Sequence, residues 1–285
     1  MDRSPTVHDN RPIMGTKLSQ TKSKDGTTIA YQKTGHGPPL LLVHGTGADH
    51  TRWAPLLPRL GEQFTVYAMD RRGRGGSGDA PTYTIDREFE DVAAVVEAAG
   101  EPVYLLGHSF GAVCSLESMR LTDRVKRAVL YEPPLPLETV IVDAPTVDKL
   151  EALLRNGDRQ GILETFYREV VRMPPSELAL AQSLPAWQGR LAAAHTIPRE
   201  ERLYVLGAPE QYRFRAERFA SVRVKTLLLL GGASPAFFKS SIDAVKGALP
   251  DSRIVVLPGQ QHTAMNTAPD LFLREVITFL TEPGP

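Results

Sequence analysis

From residue 38 onward, short apolar runs alternate with segments of helical spacing, and this alternation limits the open folds more than any other feature of the chain. The runs are PPLLLVHG (38–45), FTVYAMD (64–70), VYLLGHS (103–109), VKRAVLYEPP (125–134), KTLLLLGG (225–232) and RIVVLPG (253–259). Their near-continuous apolarity predicts strands covered on both faces, as in a parallel sheet. Between them, IDREFEDVAAVVEAAG, GAVCSLESMRL, PAFFKSSIDAVKGAL and APDLFLREVITFL carry helical spacing, with Gly100 as the stop signal of the first. The expected class is α/β, with a mostly parallel central sheet and helices on both faces. Upstream, KLSQTKSKDGTTIAYQKTG (17–35) reads as an antiparallel hairpin around Asp25-Gly26 at the sheet edge.

One interval breaks the alternation. Residues 135 to 221 carry mainly helical patterns, such as VDKLEALLRNGD, GILETFYREVVRM and SELALAQSLPAWQGRLAAAH, interrupted by Pro174-Pro175 and Pro198. The expected organisation is a disordered start (1–15), an α/β core built from 16–134 and 222–285, and a helical insertion (135–221) after the sixth strand.

Charge and cysteine content narrow the partners. Thirty-three basic residues balance thirty-three acidic ones, so no net field favours nucleic acid or an anionic membrane, and a small molecule is the expected partner. Cys114 is the only cysteine and sits in an apolar stretch, which suits a core position. MDRSPTVHDNRP has acids and proline where a signal peptide needs an apolar run, so a soluble, cytoplasmic protein is expected.

Two glycine motifs invite a chemical reading. Gly73, Gly75 and Gly78 have the G-x-G-x-x-G spacing of a dinucleotide site, but DAPTYT follows where a helix would have to open. A nucleotide-dependent oxidoreductase is therefore disfavoured, and no cofactor is expected. Gly107-His108-Ser109-Phe110-Gly111 places a serine where an apolar strand ends and a helix begins. A tight turn there strains the serine backbone, and flanking glycines remove the Cβ atoms that would clash.

A serine nucleophile needs a base, and the base needs an orienting acid. His8, His36, His50 and His195 fall in the chain start, a turn, a loop and the helical insertion, while His44 and His108 end strands. His262 lies in the loop between the last strand and the last helix, from which it can reach the serine. No H-E-x-x-H or cysteine–histidine cluster occurs, so no metal is expected.

Together these features resemble the α/β-hydrolase family across nearly the whole chain. Gly107-x-Ser109-x-Gly111 resembles its nucleophile elbow, His262 its base, VHGTGA its oxyanion strand end, DRRGRGGSG a loop of its cap-bearing members, and the insertion their cap domain. The resemblance implies an oxyanion hole formed by the backbone N–H groups of Thr46 and Phe110, with His44 supporting that turn. The pattern departs at the acid: family members most often carry an aspartate where LLLLGGASPAFF has Ser234. Within the order Ser, acid, His, Asp243 falls inside a helical pattern and Asp251 at the far strand edge. Glu132, at the end of the strand expected beside the serine strand, is the reading adopted, against a merely solvated carboxylate.

Serine rather than aspartate as nucleophile selects acyl transfer. The expected substrate is a small ester, thioester or lactone, with amide or carbon–carbon bond cleavage as alternatives. A ligand-binding sensor with weak turnover is the competing class, motivated by Ser234. Trp53, Trp187, Phe166 and Tyr167 are the candidate pocket-lining residues, and Phe110, Tyr204 and Tyr212 are further aromatics considered for that role.

Overall fold

The computed structural model describes residues 18–137 and 140–283; the expected disordered start lies outside them. Eight strands form one sheet: β1 (Ser19–Lys22), β2 (Thr28–Gly35), β3 (Pro39–Val43), β4 (Thr65–Met69), β5 (Val103–His108), β6 (Val125–Tyr131), β7 (Lys225–Gly231) and β8 (Ser252–Leu257). Their order is β1-β2-β4-β3-β5-β6-β7-β8. From β4 through β8 all pairings are parallel, and β1 and β2 add an antiparallel hairpin at one edge, as its Asp25-Gly26 turn predicts.

Period-two side-chain alternation explains why the central strands β3, β5 and β7 are almost wholly apolar, whereas β8, at the sheet edge, leaves Ile254 and Val256 exposed rather than covered on both faces. In β3, Leu41 and Val43 join the core on one face while Leu40 and Leu42 join the core on the other. In β7, Leu228 and Leu230 face the first core and Leu227 and Leu229 the second. The first core holds residues of the Ile85–Ala98, Phe110–Ser118 and Ala236–Ala248 helices, and the second holds residues of the Pro269–Thr281 helix. Gly100 ends its helix at φ 77°, the left-handed conformation that glycine adopts without a Cβ penalty.

Between β6 and β7 the regular elements are all helical among the described residues. They include Ala144–Arg155, Arg159–Thr165, Pro175–Ser183, Ala186–Ala193 and Ile197–Glu201, with a wider π turn at Phe166–Val170. Buried charges tie this segment to the sheet. Arg71, after β4, donates to Glu88 at 2.9 Å and to Glu200 of the insertion at 2.5 Å. Arg74 also pairs with Glu200, and all four side chains are fully buried. Burial raises the Glu88 carboxyl, but Arg71 and Arg74 outweigh it and hold Glu88 below its ordinary range.

The Gly73-Gly75-Gly78 loop has a packing explanation. A Cβ on Gly75 would lie 2.2 Å from the Asp70 carboxylate, which accepts hydrogen bonds from the Gly76 amide at 2.9 Å and the His50 amide at 2.8 Å. No helix opens between Gly78 and Ile85, so the loop lacks the helix N-terminus that a pyrophosphate would need.

Candidate active site

Ser109 sits between β5 and the helix Phe110–Ser118 at φ 57°, ψ −129°, a backbone conformation costly for a residue with a side chain. The turn is closed on every side. A Cβ on Gly107 would meet the Ala112 Cα at 2.6 Å and the Gly111 oxygen at 2.7 Å, and one on Gly111 would meet the Val43 and His44 oxygens at 2.4 Å. Both glycines of the motif are thus required by close backbone approach. Phe110 is the first helical residue, so its N–H has no intrahelical acceptor and faces the turn with the positive end of the helix dipole.

The loop after β3 packs onto the same point. A Cβ on Gly45 would lie 2.8 Å from Ser109 Cβ, and the next residue, Thr46, lines the cavity beside Ser109. His44 is fully buried; its Nδ1 donates to the Gly45 oxygen at 2.8 Å and its Nε2 accepts from the Arg71 amide at 3.1 Å. Burial, then the Arg71 and Arg74 cations, holds its pKa well below the ordinary histidine value. A neutral His44 therefore fixes the turn rather than exchanging protons.

His262 and Glu132 meet. Nδ1 of His262 donates to Glu132 Oε2 at 2.6 Å, while the Gly231 amide donates to Glu132 Oε1 at 2.6 Å. Glu132 follows β6 and also has positive φ, 47°. Only three non-glycine residues with positive φ occur among those described, and Ser109 and Glu132 are two of them. Glu132 is fully buried and His262 nearly so. With Nδ1 on the carboxylate, the other ring nitrogen carries the basic lone pair. Asp243 instead pairs with Lys239 on its own helix at 2.6 Å, and the Asp251 backbone carbonyl caps the start of β7.

The histidine is braced from three sides. Phe238 stacks on its ring at 4.4 Å between centroids, His108 lies 4.6 Å away, and the Tyr131 hydroxyl donates to the Gln261 oxygen. His108 Nε2 donates to the His262 backbone oxygen at 2.9 Å. Burial, then neighbouring His262, depresses the His108 pKa well below the usual value, so this ring is a neutral strut. Sequence reading left His108 and Phe238 without a role, because their contacts join segments far apart in the chain. Only the position of His108 inside the serine motif hinted at the site.

The pocket-lining expectations divide. Thr46, Phe166 and Tyr167 line the cavity with Ser109 and His262, as does Tyr204. Trp53 does not: it is fully buried in the core on the opposite face of the sheet, with Leu40, Leu42 and Met265. The Trp187 ring packs at a 31° tilt against Tyr167, 6.0 Å between centroids, outside the cavity wall. The Phe110 ring lies 4.4 Å beneath the Arg71 guanidinium, and Tyr212 donates to the buried Glu117 at 2.8 Å. All four satisfy the packing role that apolar rings at helical spacing usually have. Arg52, Arg190 and Glu201 line the cavity without a sequence signal to mark them.

Asp49, His50 and Asp70 bring three ligand-type atoms within 4.8 Å of one another. The Asp70 oxygens already accept from the His50 ring, at 2.7 Å, and from two backbone amides. Burial lowers the His50 pKa, but the bond to Asp70 outweighs it and leaves the ring above its ordinary value. The group is satisfied as a loop-fixing ion pair. No helix among the described residues is long and apolar enough to cross a membrane.

Comparison with known proteins agrees with this architecture. A crystal structure of an alpha/beta hydrolase from Sphaerobacter thermophilus is 37% identical, with a TM-score of 0.78 over 92% of this chain and all of that one. The esterase RhEst1 from Rhodococcus shares the fold at 23% identity and a TM-score of 0.69, covering 94% of this chain and 99% of that one. The 2-(acetamidomethylene)succinate hydrolase of Mesorhizobium japonicum is 26% identical over 266 residues, which is 89% of this chain and 91% of that protein. The family model described as "Alpha/beta hydrolase family" matches residues 40–275, and the chain belongs to that family.

Proposed function

We propose that this protein is a serine hydrolase that cleaves ester-like bonds of a small molecule through an acyl-enzyme. The observation that carries the reading is the 2.6 Å contact of His262 with Glu132 beside a strained serine lining the same cavity. In this reading His262 takes the Ser109 hydroxyl proton as the oxygen attacks the carbonyl carbon. The backbone N–H groups of Thr46 and Phe110 stabilise the oxyanion. His262 then protonates the leaving group and next activates the water that releases the acid. Glu132 keeps Nδ1 protonated and balances the imidazolium charge.

The Glu132 contact supports turnover over a pure ligand sensor, because it supplies the carboxylate missing at Ser234. An amide is the second bond class to assay, since the Mesorhizobium relative carries an acetamido compound in its name.

Hydrolysis of short and medium 4-nitrophenyl esters by the wild type, Ser109→Ala, His262→Ala and Glu132→Gln tests the proposal, with circular dichroism to show that each variant folds. Loss of roughly 10³-fold or more in the first two variants is expected. A Ser109→Ala variant with wild-type turnover rejects the mechanism.

A further inference from the structure

The cavity at Ser109 has two arms that share Thr46, Ser109, Phe166, Val171 and His262. They differ in chemistry. One arm adds Ile141, Val170, Tyr204, Phe237 and Phe238, and with them Glu201. Burial alone pushes the Glu201 carboxyl up to about 8, so it presents a neutral acid to an otherwise apolar wall. The other arm adds Arg52, Arg190, Tyr167 and Thr263.

Those two arginines are unlike the other buried arginines of the protein. Arg71, Arg72 and Arg74 all pair with buried carboxylates, and Arg127 donates to the backbone carbonyls of Phe279 and Glu282. Arg52 and Arg190 are each only 5% exposed, yet among the described residues neither has a carboxylate within the 4.0 Å of an ion pair. Arg52 Nη2 lies 3.0 Å from the thioether sulfur of Met265, and Arg190 Nη1 donates to the Tyr167 hydroxyl. A thioether is a weak acceptor and a phenol carries no compensating charge. Burial, then the Arg190 cation beside it, pulls Arg52 down to about 9. Two buried like charges without counterions are costly in an empty cavity and become favourable when an anion enters. Guanidinium forks match the planar, two-oxygen geometry of a carboxylate.

We infer that the Arg52–Arg190 arm is a carboxylate subsite, so that the substrate is an ester or amide bearing a free carboxylate on one side of the scissile carbonyl and an apolar group on the other. This rests on Ser109 being the nucleophile. The arginines position and select the substrate; they do not replace the oxyanion donors.

Two measurements separate the subsite from the hydrolase reading. The first is calorimetric binding of glutarate, glutaramide and inorganic phosphate to the wild type, Arg52→Gln, Arg190→Gln and Arg52→Lys, each checked by thermal unfolding. Glutarate is expected to bind where glutaramide does not, to weaken roughly 10–100-fold in either Gln variant, and to be partly retained by Arg52→Lys. The second is the ratio of kcat/KM for 4-nitrophenyl hydrogen glutarate to that for 4-nitrophenyl pentanoate, each corrected for its enzyme-free rate. The wild-type ratio should exceed about 10 and collapse in either Gln variant. Tighter binding of phosphate than glutarate overturns the carboxylate assignment, and glutarate binding indifferent to both arginines overturns the subsite. Pentanoate turnover that needs Ser109 but shows no anionic preference sinks the subsite and leaves the hydrolase standing. Arginine-dependent glutarate binding with no turnover of either ester sinks the hydrolase reading instead.

Discussion

Nδ1 of His262 donates to Glu132 Oε2 at 2.6 Å, joining residues 130 positions apart. The carboxylate comes from the end of β6, but its second oxygen is held by the amide of Gly231 at the end of β7. Glu132 thus reaches across one strand spacing to the strand end that an aspartate would otherwise extend. Ser234 Oγ lies 2.5 Å from where a Gly231 Cβ would stand, so the small side chain leaves this corner free for the glutamate.

Because both oxygens are engaged, length matters as much as charge. Glu132→Gln should lower kcat/KM by roughly 100-fold or more, and Glu132→Asp by a similar factor, since one lost methylene withdraws the carboxylate from a 2.6 Å contact. Introducing Ser234→Asp into the Glu132→Gln background should recover at least about tenfold by placing a carboxylate at the same corner. Steady-state kinetics on one 4-nitrophenyl ester decides; full activity of Glu132→Asp would contradict the two-point hold.

Gly45→Ala should damage chemistry more than stability. Its methyl group would stand 2.8 Å from Ser109 Cβ and 3.2 Å from the His108 oxygen, so the turn carrying Thr46 has to shift away from the serine. Displaced oxyanion donors cost on the order of 10²-fold in kcat. Burst and steady-state kinetics beside a thermal melt test this. Unchanged kcat would show that the turn carries no donor for the reaction.

Glu201 makes stability fall with pH. Its folded pKa of about 8 exceeds the ordinary 4.5, so between these values the native state retains a proton that the unfolded chain has lost. Stability then decreases as pH rises from 4.5 toward 8, by at most about 5 kcal/mol. Glu201→Gln removes this slope and should be the more stable protein at the alkaline end. Urea unfolding of both proteins across that range is the measurement, and parallel pH profiles would refute the assignment.

The Arg71, Arg74, Glu88 and Glu200 network should respond to the loss of one partner. Glu200→Gln leaves two fully buried guanidinium groups facing Glu88 alone, which should destabilise by about 3 kcal/mol. Glu88, held below its ordinary range by Arg71 and Arg74, contributes stability that is present above 4.5 and lost as pH falls through its lowered value. Urea unfolding near neutral pH and under acid conditions checks both statements. A loss under about 0.5 kcal/mol in Glu200→Gln would mean that the network is not coupled to folding.

The sequence alone determined the elements whose cause is local. Leucine and valine runs specify strands buried on two faces, Asp25-Gly26 turns the edge hairpin, Gly100 stops a helix, and Gly107 permits the serine turn, because each depends on residues near in the chain. Ser109, His262 and Glu132 could be singled out from their positions at strand ends, since parallel topology gathers those ends on one edge. Only the tertiary structure decided the rest. Which face of the sheet Trp53 enters, and whether Trp187 meets the cavity or packs behind Tyr167, depends on how loop and helices dock; apolar periodicity reads the same in either case. Arg52 and Arg190 lie 138 positions apart in the chain, and nothing local distinguishes them from surface arginines. Their meaning comes from burial beside Ser109 without a carboxylate, a property of the packed molecule.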